Sequence, residues 1–451
     1  MPVKAEKELS LQGLISVIQE HPEAAGKLRF IGSLENRPTV TSYPNPTAYF
    51  GVEWRKMRTL LQKIRPYQGF LTAAAAGFTA FVNIYALQSL LPLLARTFQT
   101  DSRSVSLAVS ATTLAVALAS PFCGWLVSRL SRGAVMRLSV TGLCLTGFLA
   151  ALSGSLNQLI LWRFCQGLFL PLLISGVLSF MSCDFPKNQL GRATSYYVTW
   201  TIVGGFAGRW TAGMAAAMFG WRPALLILGI MNALAGAVLL GCTQHKGARI
   251  KSKESPNVKS FLATLGEPAL RSVYAIGFCS LFTMVGGFTY VTFYLSQAPF
   301  LLGPDDLGNI FCVYLLGMAA TPALGNVLPE WGSAKAIRLT AQVAVGGLLL
   351  TLVPSLPVVV FGLGLLCVGG FGTQAAASSF IAQIGHQEKA TLSPGLKSVA
   401  AGLYLSSYYL GGCLGGVVPG FAWEARSWVG CVILLVTAQL LIYRLSSKLS
   451  P

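Results

Sequence analysis

The feature of this sequence that most constrains its fold is a series of apolar stretches between Gln68 and Leu445, each about twenty residues long. An α-helix rises 1.5 Å per residue, so about twenty residues cross a hydrocarbon core of ~30 Å. Inside a bilayer the backbone hydrogen bonds have to be made within the protein, and a helix makes them all within one segment. Each stretch is therefore predicted to be a transmembrane helix.

Twelve such stretches can be counted, at residues 69–92, 106–127, 134–154, 158–180, 195–218, 223–241, 272–296, 306–328, 337–354, 356–378, 397–420 and 427–445. Only 11% of the residues are charged, whereas a soluble domain has roughly a quarter. The prediction is an all-α membrane protein in which twelve transmembrane helices form two six-helix halves in parallel repeat.

The basic residues predict the orientation of these helices. The formal net charge of +18 arises from 33 Lys and Arg against 15 Asp and Glu. Most of the basic residues fall in loops on one side of the predicted membrane, whereas Arg96, Arg103, Arg222 and Arg426 fall on the other. Because cytoplasmic loops are enriched in Lys and Arg, both termini are predicted to be cytoplasmic. This distribution accounts for the charge without any binding of nucleic acid.

The longest connection between spans is polar and basic, and it separates six spans from six. The predicted divisions are a cytosolic or disordered extension at 1–67, an N-terminal six-helix bundle at 68–241, a cytoplasmic linker at 242–271, a C-terminal bundle at 272–445 and a cytoplasmic tail at 446–451. The extension lacks the features of a signal peptide. Met57 precedes the basic run before the first span, and we expect that it can serve as an alternative start.

Short motifs recur between the two halves at similar offsets. The matched sets are Tyr85 and Gln88 with Tyr294 and Gln297 at an offset of 209, Pro121, Gly124, Arg137 and Leu138 with Pro322, Gly325, Arg338 and Leu339 at 201, and Gly204, Gly205, Gly208 and Trp221 with Gly411, Gly412, Gly415 and Trp428 at 207. A parallel repeat of this kind places a solute site between the halves near the membrane midplane.

Three motif regions of the first half carry a family resemblance. They are the loop Gly124-Trp-Leu-Val-Ser128-Arg129-Leu-Ser131-Arg132-Gly133 with Arg137, the span-four motif Leu159-x-x-x-Arg163-x-x-Gln166-Gly167, and the span-five motif Gly204-Gly205-Phe-Ala-Gly208-Arg209-Trp-Thr-Ala-Gly213. These motifs resemble those of the major facilitator superfamily, the twelve-helix secondary transporters, and the resemblance covers about residues 68–445. The span-five variant, together with Tyr85-x-x-Gln88 in span one and Leu403 to Gly412 in span eleven, resembles a bacterial drug and sugar efflux branch of acriflavine-sensitivity-like inner-membrane transport proteins.

The resemblance implies a role for each motif. It implies a gating loop at Gly124, Ser128, Arg129, Arg132 and Arg137, a cavity and coupling role for Arg163, Gln166 and Gly167, and helix packing at Gly204, Gly205, Gly208 and Gly213. Arg209 stands where many relatives have proline, and it is added to the cavity and coupling residues because its charge lies deep in the predicted membrane and needs a partner. In the family the loop carries an aspartate where this chain has Ser128, so the usual charge lock lacks its acidic member. The loop arginines can also be simple cytoplasmic anchors, and the glycines simple packing residues.

The charged residues within spans are both positive. Arg163 and Arg209 lie inside apolar stretches, whereas none of the fifteen acidic residues and none of the three histidines lies in a span interior. Proton relays commonly use an intramembrane carboxylate or histidine, so proton antiport is implied by the resemblance alone. Two buried cations favour an anionic or strongly hydrogen-bonding solute.

We expect the two arginines to line one polar cavity. The candidate residues of this cavity are Asn83, Tyr85, Gln88 and Gln166 near the arginines, and Tyr290, Tyr294, Gln297 and Tyr408 in the other half. Two alternatives stay open at this point: Arg163 can reach toward the membrane surface, and any one of the tyrosines can be a packing residue.

The predicted function is transport of small solutes by alternating access, in the direction of efflux across the bacterial inner membrane, without a cofactor or a metal. The expected partners are a small-molecule substrate and the lipid bilayer, and the protein is expected to be monomeric. One alternative is a transporter-derived protein without transport, suggested by Ser128 and by the altered second copy of the loop around Glu330. Another is a membrane enzyme, for which no His, Asp or Cys constellation is found in a span.

Overall fold

The computed structural model describes residues 68–185, 187–243, 266–384 and 394–449, and within these ranges the chain is helical without strands. The predicted extension, most of the predicted linker and the last two residues of the tail lie outside the described residues. The first half contains α1 (Gln68–Phe81), α2 (Ser102–Arg129), α3 (Arg132–Ala151), α4 (Leu156–Asp184), α5 (Lys187–Phe219) and α6 (Trp221–Thr243).

The second half contains two long helices that are each divided by a kink. Helix α7 spans Pro268–Leu295, and α10 spans Leu356–Ile384. The helix Tyr314–Leu350 is interrupted at Gly332, where φ is 70°, and gives α8 (314–331) and α9 (333–350). The helix Pro394–Ser446 is interrupted at Arg426 and Ser427 and gives α11 (394–425) and α12 (428–446). Short helical segments lie between α7 and α8, at Pro304–Ile310 and Phe311–Val313, and after α12, at Ser447–Leu449.

The described helices therefore form twelve long segments in two sets of six, which agrees with the predicted architecture. By length and composition alone, eight helices among the described residues are long and apolar enough to cross a membrane. Large apolar side chains such as Phe122, Leu234 and Phe361 are exposed on the outside of the bundle, as is usual where a protein surface faces lipid tails.

Capping side chains explain where three of the helices begin. Asp101 accepts a hydrogen bond from the Ser104 N–H at 2.8 Å at the start of α2. Ser131 accepts from the Ala134 N–H at 3.2 Å at the start of α3, and Ser155 does the same for Gln158 at the start of α4. Each side chain satisfies an N–H group that has no partner within its helix, so the turns between α1 and α4 are fixed by local chemistry.

The first span differs from its prediction as one continuous helix over 69–92. Helix α1 ends at Phe81, residues 82–85 have no regular helical structure, and the chain continues as the turn Ala86–Leu90 and the short helix Leu91–Thr97. The break lies deep in the protein, since Asn83 and Ile84 are buried. Backbone groups freed by such a break need partners from elsewhere in the protein.

Glycines bring α5 onto α1 and α11 onto α7 in the same way. The four close approaches are Gly204 to the Phe78 carbonyl, Gly208 to the Val82 carbonyl, Gly411 to the Phe278 carbonyl and Gly415 to the Phe282 carbonyl. A Cβ at any of these glycines would lie less than 3.0 Å from the carbonyl oxygen. The predicted offset of 207 between spans five and eleven is therefore supported by equivalent contacts in the two halves.

The same contacts correct the register between the first and seventh spans. Phe78 corresponds to Phe278 and Val82 to Phe282, an offset of 200 residues. The proposed match of Tyr85 with Tyr294, at an offset of 209, is therefore wrong in register. It rested on two residue identities at the ends of a short motif, whereas the backbone contacts involve the packed face of each helix.

Candidate functional site

A cavity of about 360 Å³ lies between the two halves. This volume falls within the range of small-molecule sites in proteins, roughly 300–1,000 Å³. Its lining comprises Phe81, Tyr85, Val198, Thr201, Ile202, Gly205 and Arg209 of the first half, and Leu281, Met284, Val285, Tyr314, Gly370, Phe371, Gln374, Ala375, Ser378, Tyr408 and Tyr409 of the second. The wall is thus mainly aromatic and aliphatic, with a few polar groups.

Two helices supply the polar side chains of the wall other than the tyrosines. Helix α5 contributes Thr201 and Arg209, which lie eight residues apart and so share one helix face. Helix α10 contributes Gln374 and Ser378, one turn apart. Because α5 belongs to the first half and α10 to the second, the cavity needs both halves for its polar groups.

One end of the cavity is closed by contacts between α2 and α11. We call this the sealed end; it carries the loops 98–101 and 296–303 and is predicted to be extracellular. Gly416 packs against the Ser110 hydroxyl. Nearby, Arg103 lies 3.6 Å from the Glu424 carboxylate and its guanidinium carbon lies 4.7 Å from the centre of the Phe421 ring.

A second seam closes the same end on the opposite side. Gly213 of α5 packs against the backbone of Pro304 and Gly308, in the short helix that precedes α8. One turn earlier on α5, the Trp210 Nε1 donates a hydrogen bond of 3.0 Å to the Asn309 Oδ1. Both seams therefore join the first half to the second.

The exposure of the lining residues shows which end of the cavity is accessible. Arg209 and Tyr314 are buried at the sealed end, with exposed fractions of 1% and 7%. Val198 and Ser378, at the other end of the lining, are exposed. The cavity is closed above Arg209 and reaches exposed residues on the side that is predicted to be cytoplasmic.

Arg209 forms the roof of the cavity and links the halves. Its guanidinium donates to the Gln88 Oε1 at 2.8 Å, to the Gly205 carbonyl at 2.6 Å and to the Tyr314 hydroxyl at 3.3 Å. The Gln88 amide in turn donates to the Thr289 hydroxyl of α7 at 3.2 Å. The chain Arg209, Gln88 and Thr289 therefore crosses from one half to the other.

Aromatic rings surround the same guanidinium. Its carbon lies 4.9 Å from the ring centre of Tyr85, 5.1 Å from that of Phe311 and 4.3 Å from that of Tyr314. The negative faces of aromatic rings attract a cation at such distances. The rings stabilise the charge in the protein interior but do not neutralise it.

Arg163 lies apart from the cavity lining and binds the broken segment of α1. It donates to the carbonyls of Asn83 at 2.8 Å, Ile84 at 2.6 Å and Ala108 at 3.3 Å, and also to the side-chain oxygen of Gln166. These bonds satisfy carbonyl groups at the break that the helix itself cannot satisfy. The two arginines are therefore in separate environments, and the cavity lining contains one of them.

The other candidate residues are divided between the cavity and the packing around it. Tyr85 and Tyr408 line the cavity. Tyr290 donates to the Gly416 carbonyl at 2.9 Å beside the seam, Tyr294 stacks on Trp428, and Gln297 is exposed in the loop after α7. Gly167 packs against the Thr112 carbonyl of α2. Tyr290, Tyr294 and Gly167 thus support helices around the cavity, and Gln297 lies outside the lining.

The predicted gating loop joins α2 to α3 at the end opposite the seal. Gly124, Ser128 and Arg129 lie in the last two turns of α2, and Arg132 begins α3. Leu130 ends α2 in an extended conformation, and Ser131 caps α3. Arg137 is exposed and its guanidinium lies beside Gly133. The loop is therefore a tight turn with an arginine on either side of it.

Several lining residues were not among the cavity candidates predicted from the sequence. Thr201 and Gly205 could have been found, because they continue the helix face of Arg209 at four-residue spacing. Gln374 and Ser378 stand out in the same way as polar residues one turn apart in an apolar span. Tyr314 gave no such signal, since it is brought to Arg209 by tertiary packing. Among the described residues, no cluster of three or more His, Cys, Asp or Glu could hold a metal ion.

Comparisons with known proteins agree with this geometry. A family model described as the Major Facilitator Superfamily matches residues 73–416. The uncharacterized MFS-type transporter YybF of Bacillus subtilis (strain 168) is 27% identical over 85% of this chain and 94% of its own length. The inner membrane transport protein YnfM of Escherichia coli (strain K12) is 26% identical over 84% of this chain and 90% of its own length.

The fold is also found among solved structures. A bacterial homologue of the human lysosomal transporter Spinster, crystallised in an inward-facing and unoccupied conformation, superposes with a TM-score of 0.68. The match covers 85% of this chain and 98% of that chain, at 15% sequence identity. At this identity the comparison shows a common fold.

Proposed function

Because this chain belongs to the major facilitator superfamily, we propose that it exports small solutes across the bacterial inner membrane by alternating access, with both termini in the cytoplasm. The family and the transporter relatives support solute transport. The direction of transport, the alternating-access mechanism and the cytoplasmic position of the termini are proposed in addition. We further propose that the protein acts as a monomer in the bilayer, without a cofactor and without enzymatic activity.

The observation that carries the proposal is a cavity closed at one end by contacts between the halves. Each seam consists of glycine contacts and a few polar interactions, such as the Trp210–Asn309 hydrogen bond and the Arg103–Glu424 ion pair. Exposed ion pairs contribute little to stability, so the Arg103–Glu424 pair adds little to the free energy that opposes separation of the halves at this end. Opening of the seams and closure of the opposite end would expose the same cavity to the other side.

The charge distribution supports the orientation that the efflux proposal requires. The cavity reaches exposed residues at the end where loops rich in Lys and Arg are predicted to face the cytoplasm. A solute would enter from that side, bind below Arg209, and leave when the seams open. The loop with Gly124, Ser128, Arg129, Arg132 and Arg137 lies at the end opposite the seal and is proposed as the inner gate.

The coupling residues have separate tasks in this proposal. Arg209 contacts both halves and the cavity, so it responds to solute and to opening of the seam. Arg163 binds the carbonyls of Asn83 and Ile84 in the break after α1. The chain that leaves this break carries Tyr85 and Gln88. Gln166 orients Arg163, and Gly167 allows α4 to approach α2. Arg163 is therefore proposed as a positioning residue for the roof of the cavity.

Accessibility of one cavity residue tests the mechanism and the orientation together. Thr201→Cys would be introduced together with Cys312→Ser, because Cys312 is exposed and would also react. A membrane-impermeant maleimide should label Cys at this position from the cytoplasmic side of inverted vesicles but not from outside intact cells. Adding Gly213→Ala, whose Cβ meets the Pro304 backbone, should increase labelling from outside because it opposes closure of the seam.

The matched control is Gly346→Ala, since a Cβ at Gly346 has open space. It should leave the labelling pattern unchanged. Labelling of Thr201→Cys from outside only would contradict the orientation, and insensitivity to Gly213→Ala would contradict the role of the seam. Normal labelling without counterflow of any solute from proteoliposomes would instead favour a transporter-derived protein that no longer transports.

A further inference from the structure

We propose that the cavity binds a monovalent organic anion with an aromatic or aliphatic body, and that Arg209 recognises the anionic group. The inference rests on the carrier function proposed above and names the class of its substrate. It follows from the charge of Arg209, from its free hydrogen-bond donors and from the composition of the cavity wall.

The charge of Arg209 has no counter-charge in the described part of the protein. All three acceptors of its guanidinium are neutral, and they come from Gln88, Gly205 and Tyr314. The cavity lining contains no acidic side chain. Among the described residues, ion pairs are found at the sealed end, where Arg103 contacts Asp101 and Glu424. A buried cation without a partner is unfavourable, and an anion in the cavity would supply that partner.

The repeat indicates that packing alone does not require this arginine. At the predicted offset of 207, Arg209 corresponds to Gly416 in the second half. Gly416 packs directly against the Ser110 side chain and itself carries no charge. The first half therefore places a cation at a position where the same scaffold accepts a glycine.

Arg163 serves as an internal comparison. It is buried like Arg209, but it is bound to the three backbone carbonyls of Asn83, Ile84 and Ala108 and to Gln166. Its charge interacts with the negative ends of these carbonyl dipoles, and it does not line the cavity. The anion site is therefore assigned to Arg209 and not to the two arginines together.

The hydrogen bonds of Arg209 leave room for an anion. A guanidinium has five N–H donors in a planar fork that matches a carboxylate, and the structure occupies one on Nε, one on Nη1 and one on Nη2. The contact with the Tyr314 hydroxyl, at 3.3 Å, is the longest of the three. A carboxylate or sulfonate can accept hydrogen bonds from the free donors of Nη1 and Nη2 and from the Tyr314 hydroxyl.

The rest of the wall defines the body of the solute. Leu281, Met284, Phe371 and Tyr408 provide an apolar and aromatic surface from the second half. The cavity volume of about 360 Å³ accommodates a solute of one or two rings. A cationic solute would find no carboxylate in this wall, so the site selects by the sign of charge as well as by shape.

Equilibrium binding of three probes with one ring system tests this selectivity. Naphthoate, naphthamide and naphthylmethylammonium would be measured by dialysis against the purified full chain in lipid nanodiscs. We expect naphthoate to bind at least about tenfold tighter than naphthamide, since charge-assisted pairs with arginine are the stronger hydrogen bonds. Naphthylmethylammonium should bind weakest. Equal binding of naphthoate and naphthamide, or tighter binding of the cation, would overturn the proposal.

Substitutions separate the arginine from the rest of the cavity. Arg209→Gln should bring the ratio of naphthoate to naphthamide affinity close to one, and Arg209→Lys should retain part of the preference. Tyr314→Phe should keep the preference, because the guanidinium remains. Arg222→Gln is the matched control, since Arg222 donates to the Ser153 carbonyl and does not line the cavity. An undiminished ratio in Arg209→Gln contradicts the proposal, and the wild-type ratio decides it if that variant does not fold.

Transport in proteoliposomes distinguishes failure of this inference from failure of the carrier function. If a neutral or cationic solute is transported while naphthoate is not preferred in binding, the carrier function stands and the anion inference fails. If naphthoate is preferred but neither it nor any other solute crosses the membrane, the binding inference stands and the carrier function fails.

Discussion

In the first half of the molecule α1 breaks at residues 82–85 and Arg163 binds the freed carbonyls, whereas in the second half α7 runs unbroken to Leu295. Helices α4 and α10 have the same length, Leu156–Asp184 and Leu356–Ile384, so the residue equivalent to Arg163 is Leu363. Leu363 is fully buried in the hydrophobic core. An arginine is thus found where the neighbouring helix is broken, and a leucine where it is continuous.

The comparison teaches that the two halves share their packing and differ in their polar groups. Glycines of α5 and α11 contact the carbonyls of α1 and α7 at equivalent positions. The cations of the first half, Arg163 and Arg209, have uncharged counterparts in the second. The predictions below test this division, from the largest expected effect to the smallest.

Arg163→Leu would give the first half the residue that the second half has at the equivalent position. We expect this variant to be strongly destabilised. It leaves the carbonyls of Asn83 and Ile84 at the break without the arginine donor in a low-dielectric interior, at a cost of roughly 3 kcal/mol or more in the free energy of unfolding. The measurement is reversible unfolding in mixed micelles, followed by tryptophan fluorescence. The control Leu363→Met should cost less than about 1.5 kcal/mol. Wild-type stability of Arg163→Leu would show that the break does not depend on the arginine.

Gly208→Ala and Gly415→Ala should destabilise the protein by similar amounts, because each Cβ would collide with a carbonyl of the facing helix. Overpacking of this kind costs about 1–3 kcal/mol. Gly402→Ala is the control on α11, since a Cβ there meets nothing within 4 Å. It should be neutral or slightly stabilising. A loss of stability at only one of the two packed positions in the unfolding assay would contradict equivalent packing in the two halves.

Asp101→Ala should remove a helix cap in the first half that α8 lacks in the second, because the N-cap of α8 makes no side-chain hydrogen bond. The loss should be about 1 kcal/mol at neutral pH. Asp101→Asn should cost less, since asparagine is an equally good cap. Equal losses for the two variants would locate the effect in the ion pair with Arg103 instead of the cap, and unfolding midpoints distinguish the two cases.

The pH dependence of stability gives a smaller effect at the same residue. Hydrogen bonds from Ser104 and the charge of Arg103 lower the pKa of Asp101 below its usual 3.8. The folded-state pKa lies below the unfolded-state value, so this stabilisation is complete above the unfolded-state pKa and is lost as the pH falls through the folded-state pKa. Unfolding of wild type and Asp101→Asn from pH 6 to pH 3 should differ by a few tenths of a kcal/mol, because Asp101 is half exposed. A constant difference across this range would contradict the assignment.

The positions of the helices could be predicted from hydropathy, and the offset of 207 could be predicted from glycine spacing. The break in α1 could not, because residues 82–85 contain neither proline nor glycine and their carbonyls are bound by Arg163, about eighty residues later. Because the break was not predicted, its carbonyls were not considered as partners of Arg163, and Arg163 was predicted to line the cavity instead. The register between α1 and α7 failed because a two-residue identity carries less information than a packed helix face.

The unpaired charge of Arg209 has an electrical consequence for the proposed cycle. A cavity holding only this guanidinium carries one positive charge, and a bound monoanion cancels it. The loaded carrier would then reorient without moving net charge through the membrane field, whereas the empty carrier would return its positive charge toward the cytoplasm. An inside-negative voltage favours that return by up to about 2.3 kcal/mol per 100 mV. Voltage would therefore drive export through the empty step, without a titrating carboxylate.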